Sequence, residues 1–203
     1  MRLGILGGSF NPPHVGHLLL AQEAHAQLGL DKVVLMPVAA PPHKQLEDDP
    51  GADARFELCR LAVARDERLE VSRLELDRGG PSFTADTLRE IHATAPGDEL
   101  TFVVGGDMAA SLPSWREPEA VLELATLAVA EREELRRRDV VERVAGLRGA
   151  DRLRFFAFPR VDVSSSAIRR RVRDGQPIRY WVPDEVARLI GARGYYLGQQ
   201  VRA

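Results

Sequence analysis

Residues 7 to 17 read Gly-Gly-Ser-Phe-Asn-Pro-Pro-His-Val-Gly-His. Two imidazoles, His14 and His17, thus follow a glycine-rich turn that lies between an apolar run and an amphipathic one. The chemistry this arrangement offers is phosphate handling. Three residues apart on a first helical turn, both rings can face one side. The unpaired N–H groups and positive pole of the helix they open favour an anion. Gly7 and Gly8 permit close backbone approach or positive φ, and Pro12 and Pro13 stiffen the loop without adding donors. Gly16 removes a side chain that would crowd an incoming phosphate. A single histidine here would read as a helix cap or the filler of a polar niche; two in this context favour phosphate. Zinc is the weaker alternative, because no cysteine or carboxylate stands near enough to complete a tetrahedral set.

Other segments carry compatible chemistry. Ser164, Ser165 and Ser166, followed by Ile168 and Arg169, read as a helix N-terminus whose hydroxyls and amides meet phosphate oxygens while the guanidinium adds its fork. The competing reading is ordinary capping by one serine, with arginines exposed behind it. In Gly105-Gly106-Asp107 the glycines let backbone lie against a flat base or sugar. Asp107 then accepts from ribose hydroxyls, or else merely caps a short helix. Trp115 follows Leu112-Pro113-Ser114, a turn that either packs the indole or holds it ready to stack on a ring. Ser82-Phe83-Thr84 opens a helix whose amides suit a carboxylate. His43 and Lys44 lie in the irregular, Pro- and Asp-rich stretch 37 to 51, where a charged loop tip is the simpler account of them.

The elements that must position these residues alternate along the chain. Buried-strand patterns occur at Leu3 to Leu6, Lys32 to Met36, Leu69 to Val71, Leu100 to Val104, Thr126 to Ala130 and Arg154 to Ala157. Helical patterns occur at His17 to Leu28, Asp53 to Ala64, Thr84 to Ala93, Pro118 to Leu124 and Glu134 to Ala145. Gly29 stops the first helix, and a last helix opens at Pro183-Asp184-Glu185 and ends at Gly194. The alternation predicts an α/β fold with a doubly wound, mainly parallel sheet. Right-handed crossovers bring strands one and four to a common crevice at the edge where such sheets hold ligands. With 203 residues and 44% hydrophobic content, one nucleotide-handling domain spanning 1–203 is expected, residues 164–203 forming a small C-terminal helical part.

A formal charge of −2 argues against broad binding to nucleic acid but allows a local basic pocket for a polyanionic small molecule. Arg136 to Arg138 read as a solvated helix face. Cys59, the single cysteine, excludes an internal disulfide and fits a packed helical thiol without chemistry. No stretch has membrane-spanning length and no secretory leader is evident, so the cytoplasm is the expected location. A homo-oligomer is left open.

Taken with Pro41-Pro42-His43-Lys44, Gly80 to Thr87, Val104 to Met108, Leu112 to Trp115 and Val163 to Arg169, the histidine motif makes the chain resemble the bacterial nicotinate mononucleotide adenylyltransferases. These belong to the nucleotidyltransferase superfamily with a His-x-Gly-His element. The resemblance runs from Arg2 to about Tyr196. It implies a Rossmann-like fold and transfer of the AMP moiety of ATP to nicotinate mononucleotide, with pyrophosphate released. His17 would lie nearest the reacting α-phosphate with His14 assisting. Gly7, Gly8, Ser9, Phe10, Gly105 and Asp107 would line the ATP site, and Ser164, Ser165, Ser166 and Arg169 would hold its β- and γ-phosphates. His43 and Lys44 would meet the mononucleotide phosphate, and Ser82, Thr84, Trp115 and Arg116 the nicotinate ring and its carboxyl. Magnesium would arrive on the triphosphate, since no carboxylates cluster beside the histidines.

The chain departs from the family at Gly106, where a small residue such as alanine is usual, and at Glu131-Arg132-Glu133-Glu134, where relatives often carry Arg-Pro-Gly. No phosphate contact is therefore assigned to Arg132. Two alternatives remain at this level: nicotinamide mononucleotide as main acceptor, and a nucleotide-sensing module without turnover.

Overall fold

The computed structural model describes residues 1–42, 45–131 and 134–198, with side chains left aside at 134–136. Six strands follow in chain order: β1 (Arg2–Gly8), β2 (Lys32–Pro37), β3 (Leu69–Val71), β4 (Glu99–Gly105), β5 (Ala125–Glu131) and β6 (Leu153–Ala157). They form one sheet in the order β3-β2-β1-β4-β5-β6, and all five pairings are parallel. This is the doubly wound order, and the direction of winding reverses between β1 and β4. The crevice outside the carboxyl ends of those two strands is where a ligand belongs. Gly7, Gly8 and Gly105 stand at those ends.

Side-chain alternation with period two explains why both faces are covered. Leu3, Ile5, Val34, Met36, Phe102, Val104, Leu127 and Val129 point into one apolar cluster. Leu6, Val33, Leu35, Val103, Ala128 and Ala130 point into the other. α1 (Val15–Leu28) covers the second face with Ala21 and Ala24 fully buried, as does α2 (Ala52–Val63) with Cys59 and Val63. α4 (Thr84–Thr94), α5 (Gly106–Ala110), α6 (Pro118–Leu124) and α7 (Glu134–Val144) cover the first. A five-residue α3 (Leu74–Arg78), absent from the periodicity analysis, leads toward α4. Burial pushes the Cys59 thiol far above its ordinary pKa, in keeping with a packing role.

The C-terminal part contains α8 (Ser165–Arg173) and α9 (Asp184–Arg193). Their Ile168, Val186 and Ile190 meet Leu58 of α2 in a third apolar cluster, so α8 and α9 dock beside the helix after β2. Val15 N–H, at the start of α1, donates to the Trp181 carbonyl at 3.0 Å. No described helix is long and apolar enough to cross a membrane.

Candidate active site

The histidine motif sits where β1 turns into α1. His14 is the N-cap residue in extended backbone (φ −147°, ψ 170°) and His17 lies one turn on. The rings stack with centroids 3.7 Å apart, and Phe10 meets His17 edge-on at 4.9 Å. The His14 backbone N–H donates to Nδ1 of His17 at 3.2 Å. That bond makes Nδ1 the acceptor, so neutral His17 carries its proton on Nε2, free to donate to an oxyanion. Phe10 is buried with φ 45°, and a Cβ on Gly8 would come within 3.1 Å of its ring. Gly8 therefore makes room for the aromatic that supports His17, and the positive φ expected of the glycines falls on Phe10 instead.

The space that Gly16 was expected to clear for phosphate belongs to the His14 ring, whose Cε1 and Nδ1 lie 3.1 Å from where a Gly16 Cβ would stand. Any side chain at residue 16 would push His14 off its partner.

Burial lowers the pKa of His14 to about 4 and, with His14 beside it, holds His17 well below the ordinary imidazole value of 6.5. Both rings are neutral at pH 7. Because the unfolded chain binds these protons more readily, their contribution to stability is complete above about pH 6.5 and is lost as pH falls toward 4, at up to about 1.4 kcal/mol per pH unit per histidine. Urea unfolding between pH 7 and 4.5 should show this loss, and His14→Asn should flatten it. A variant as steep as the wild type would contradict the assignment.

The two ends of the chain meet at this turn. Ser165 Oγ donates to the Pro12 carbonyl at 2.8 Å, and Arg169 Nη1 donates to the Asn11 carbonyl at 3.0 Å. Ser164 caps α8, its Oγ accepting from Ala167 N–H at 3.2 Å, so the capping role weighed for the serine run is realised. Ser166 is exposed at the same terminus. Neither α1 nor α8 has an acidic residue in its first turn, whereas α2, α4, α6 and α9 have Asp53, Asp86, Glu119, and Asp184 with Glu185. Two uncompensated positive helix poles thus bracket the loop Ser9 to Pro13, as an anion site requires.

Gly105 and exposed Asp107 line a cleft with Val129, Glu131, Arg137 and Phe155 at the ends of β4 and β5. A Cβ at Gly105 would meet nothing, which leaves a flat backbone surface there. Arg137 is exposed, as expected of a solvated face, and lies 4.7 Å over the Phe155 ring and 3.6 Å from the Glu131 carboxylate. Trp115 is half-buried; its indole N–H donates to Ser111 Oγ at 3.0 Å and its ring stands edge-on to Phe102. The indole is held rigid, with part of its surface open. Arg116 lies 4.6 Å over Phe83 and 3.4 Å from Asp86, beside the N-terminus of α4, where Phe83 supplies no side-chain cap to the amides after it. Ser82 serves the frame: its Oγ accepts from Ala39 N–H at 3.0 Å, and it contacts the buried Glu75, to which Thr87 Oγ1 donates at 2.7 Å. Burial raises the Glu75 pKa, against the pull of those two hydroxyls. Thr84, the first residue of α4, stays partly open. His43, Lys44 and Arg132 lie outside the described residues.

Sequence reasoning missed Arg55. Fully buried in α2, its guanidinium donates to the carbonyls of Ser9 (3.0 Å), Val38 (2.8 Å) and Ala39 (3.2 Å) and to the Asp49 carboxylate (3.0 Å). One side chain therefore ties the phosphate turn to the segment after β2.

A parallel sheet in this order, with stacked neutral imidazoles and two helix N-termini at its switch point, has the layout of a nucleotidyltransferase site. Residues 5–171 match the family model described as Cytidylyltransferase-like, and the chain belongs to that family. A "probable nicotinate-nucleotide adenylyltransferase" of Thermus thermophilus is 44% identical over 196 residues, covering 97% of this chain and 100% of the relative. A protein of the same description from Shouchella clausii is 40% identical over 195 residues, covering 96% of each. By that likeness the chain is a member of the nicotinate-nucleotide adenylyltransferase family. In fold it is similar to the Plasmodium falciparum nicotinic acid mononucleotide adenylyltransferase complexed with NaAD, at 16% identity and a TM-score of 0.76 over 96% of this chain and 97% of that one.

Proposed function

We infer that this protein joins nicotinate mononucleotide to the AMP moiety of ATP. A phosphate oxygen of the mononucleotide attacks the α-phosphorus, the bond to the bridging oxygen breaks, and pyrophosphate leaves. The nucleophile needs no general base, because a nucleotide phosphate is already anionic near neutral pH. What the protein supplies is position and charge stabilisation. His17 donates from Nε2 to the α-phosphate as its charge develops, His14 assists, and Gly7, Gly8 and Ser9 shape the turn around them. Ser164, Ser165, Ser166 and Arg169 face the β- and γ-phosphates. Gly105 and Asp107 hold the adenosine, Asp107 through ribose hydroxyls. Trp115 stacks on the pyridine ring, whose carboxyl lies against Thr84 and Arg116, while His43 and Lys44 take the mononucleotide phosphate.

The observation that carries this reading is the pair of bonds from Ser165 and Arg169 to the Pro12 and Asn11 carbonyls, which brings both chain ends to one anion site. Among the described residues no three His, Cys, Asp or Glu side chains group as a metal site, so magnesium is proposed to arrive with ATP, held by phosphate oxygens and water. We place the activity in the cytoplasm, on small molecules alone, in a single domain.

Incubation with ATP, Mg²⁺ and nicotinate mononucleotide should yield the dinucleotide and pyrophosphate; absence of both rejects the assignment. A carboxylate site at the α4 N-terminus, flanked by Arg116, predicts kcat/KM for the acid at least about tenfold above that for the amide, or about 1.4 kcal/mol. Equal constants would defeat that subsite.

A further inference from the structure

Arg169 is held by carboxylates of its own chain. Its side chain is only 9% exposed, and Nη2 lies 3.3 Å from Glu47 Oε2, while Nε lies 3.6 Å from Asp48 Oδ2 without a hydrogen bond. Asp48 also pairs with Arg173 at 2.5 Å, and its backbone is left-handed (φ 48°). Asn11 Nδ2 donates to the Glu47 carbonyl at 2.9 Å, fastening this acidic turn against the phosphate loop. Two carboxylates therefore lie against the guanidinium that faces the β- and γ-phosphates, at distances longer than a bidentate fork would give. The fit is adequate for an ion pair and poor for a permanent one: Glu47 is 82% exposed, and one buried donor of Arg169 has no acceptor.

We propose that Glu47 and Asp48 are internal competitors of the triphosphate for Arg169, and thereby set the affinity threshold that an anion must exceed to occupy the site. An anion that engages the guanidinium must first displace them, so the fraction of protein with Arg169 released scales every dissociation constant by the same factor. A triphosphate that also reaches the histidines and the α8 terminus retains useful affinity after that loss. Orthophosphate, with far fewer contacts, falls below occupancy at millimolar concentration. The carboxylates thus exclude weak anions without contributing a contact to the reacting atoms.

The inference rests on the assignment of Arg169 to the triphosphate, and the test separates the two. Binding of magnesium-free tripolyphosphate and of orthophosphate is titrated calorimetrically at physiological salt in the full chain and in the double variant Glu47→Gln/Asp48→Asn. Both anions should bind about three- to tenfold more tightly in the variant, by a common factor, as fits the loss of one or two partly screened ion pairs. Unchanged or weaker binding overturns the proposal. A gain confined to tripolyphosphate also overturns it, since competition for Arg169 must scale both constants alike. In Arg169→Ala, tripolyphosphate affinity should fall. If it does not, the triphosphate assignment itself fails; if it falls while the carboxylate variant is unchanged, only the competition fails.

Discussion

His17→Ala is expected to lower kcat by about a hundredfold or more while changing ATP affinity far less. The asymmetry follows from geometry. Nδ1 of His17 is committed to the His14 backbone N–H at 3.2 Å, so the ring has one donor left, and in the proposed reaction that donor meets charge that appears only as the α-phosphate reacts. A neutral imidazole gains little from a ground-state phosphate in water but more from a developing oxyanion in a desolvated turn. Removing the ring also frees Phe10 and His14, which pack on it, so some loss of stability should accompany the loss of rate. Steady-state kinetics with varied ATP separates the two constants. Turnover within a few-fold of wild type would strip His17 of its role.

The second large effect is structural. Arg55→Ala should destabilise the protein by about 3–5 kcal/mol, the range for breaking a buried charge pair. Three carbonyls lose a guanidinium donor and the Asp49 carboxylate loses its paired cation at once. Arg55→Lys keeps the charge but cannot span four acceptors in one plane, so most of the loss should persist. Because the acceptors belong to the phosphate turn and to the segment after β2, KM for both substrates should rise in any variant that still folds. Urea unfolding gives the stability, and a change below about 1 kcal/mol in Arg55→Ala would contradict the clasp.

The contrast between these two residues shows what is legible in the sequence. His14 and His17 stand three residues apart along the chain, in a strand-turn-helix whose glycines and prolines act locally, so spacing alone exposes them. The sheet is largely readable, because its inner strands, buried on both faces, are apolar runs, while the edge strands β3 and β6 are shorter and carry the exposed Glu70 and Arg154. Arg55 differs: its acceptors come from Ser9, Val38 and Ala39, brought together only by the sheet. A signal is present all the same, since Arg55, Leu58, Cys59 and Val63 share one buried helical stripe, and a charge on such a stripe calls for partners. Arg137 is exposed as the run of arginines suggests, but its partners are not readable there. Its neighbours Glu131 and Phe155 are set by the β5–β6 pairing and not by the run of arginines around it. The five-residue α3 is too short to show a period.

We propose that one triphosphate is gripped by residues from the two distant ends of the chain. A crystal structure with a non-hydrolysable ATP analogue bound shows whether it is. His14 and His17 should contact the α-phosphate region while Ser164, Ser165, Ser166 and Arg169 contact the β- and γ-phosphates of the same molecule. An analogue bound with its phosphates away from either group would contradict the account.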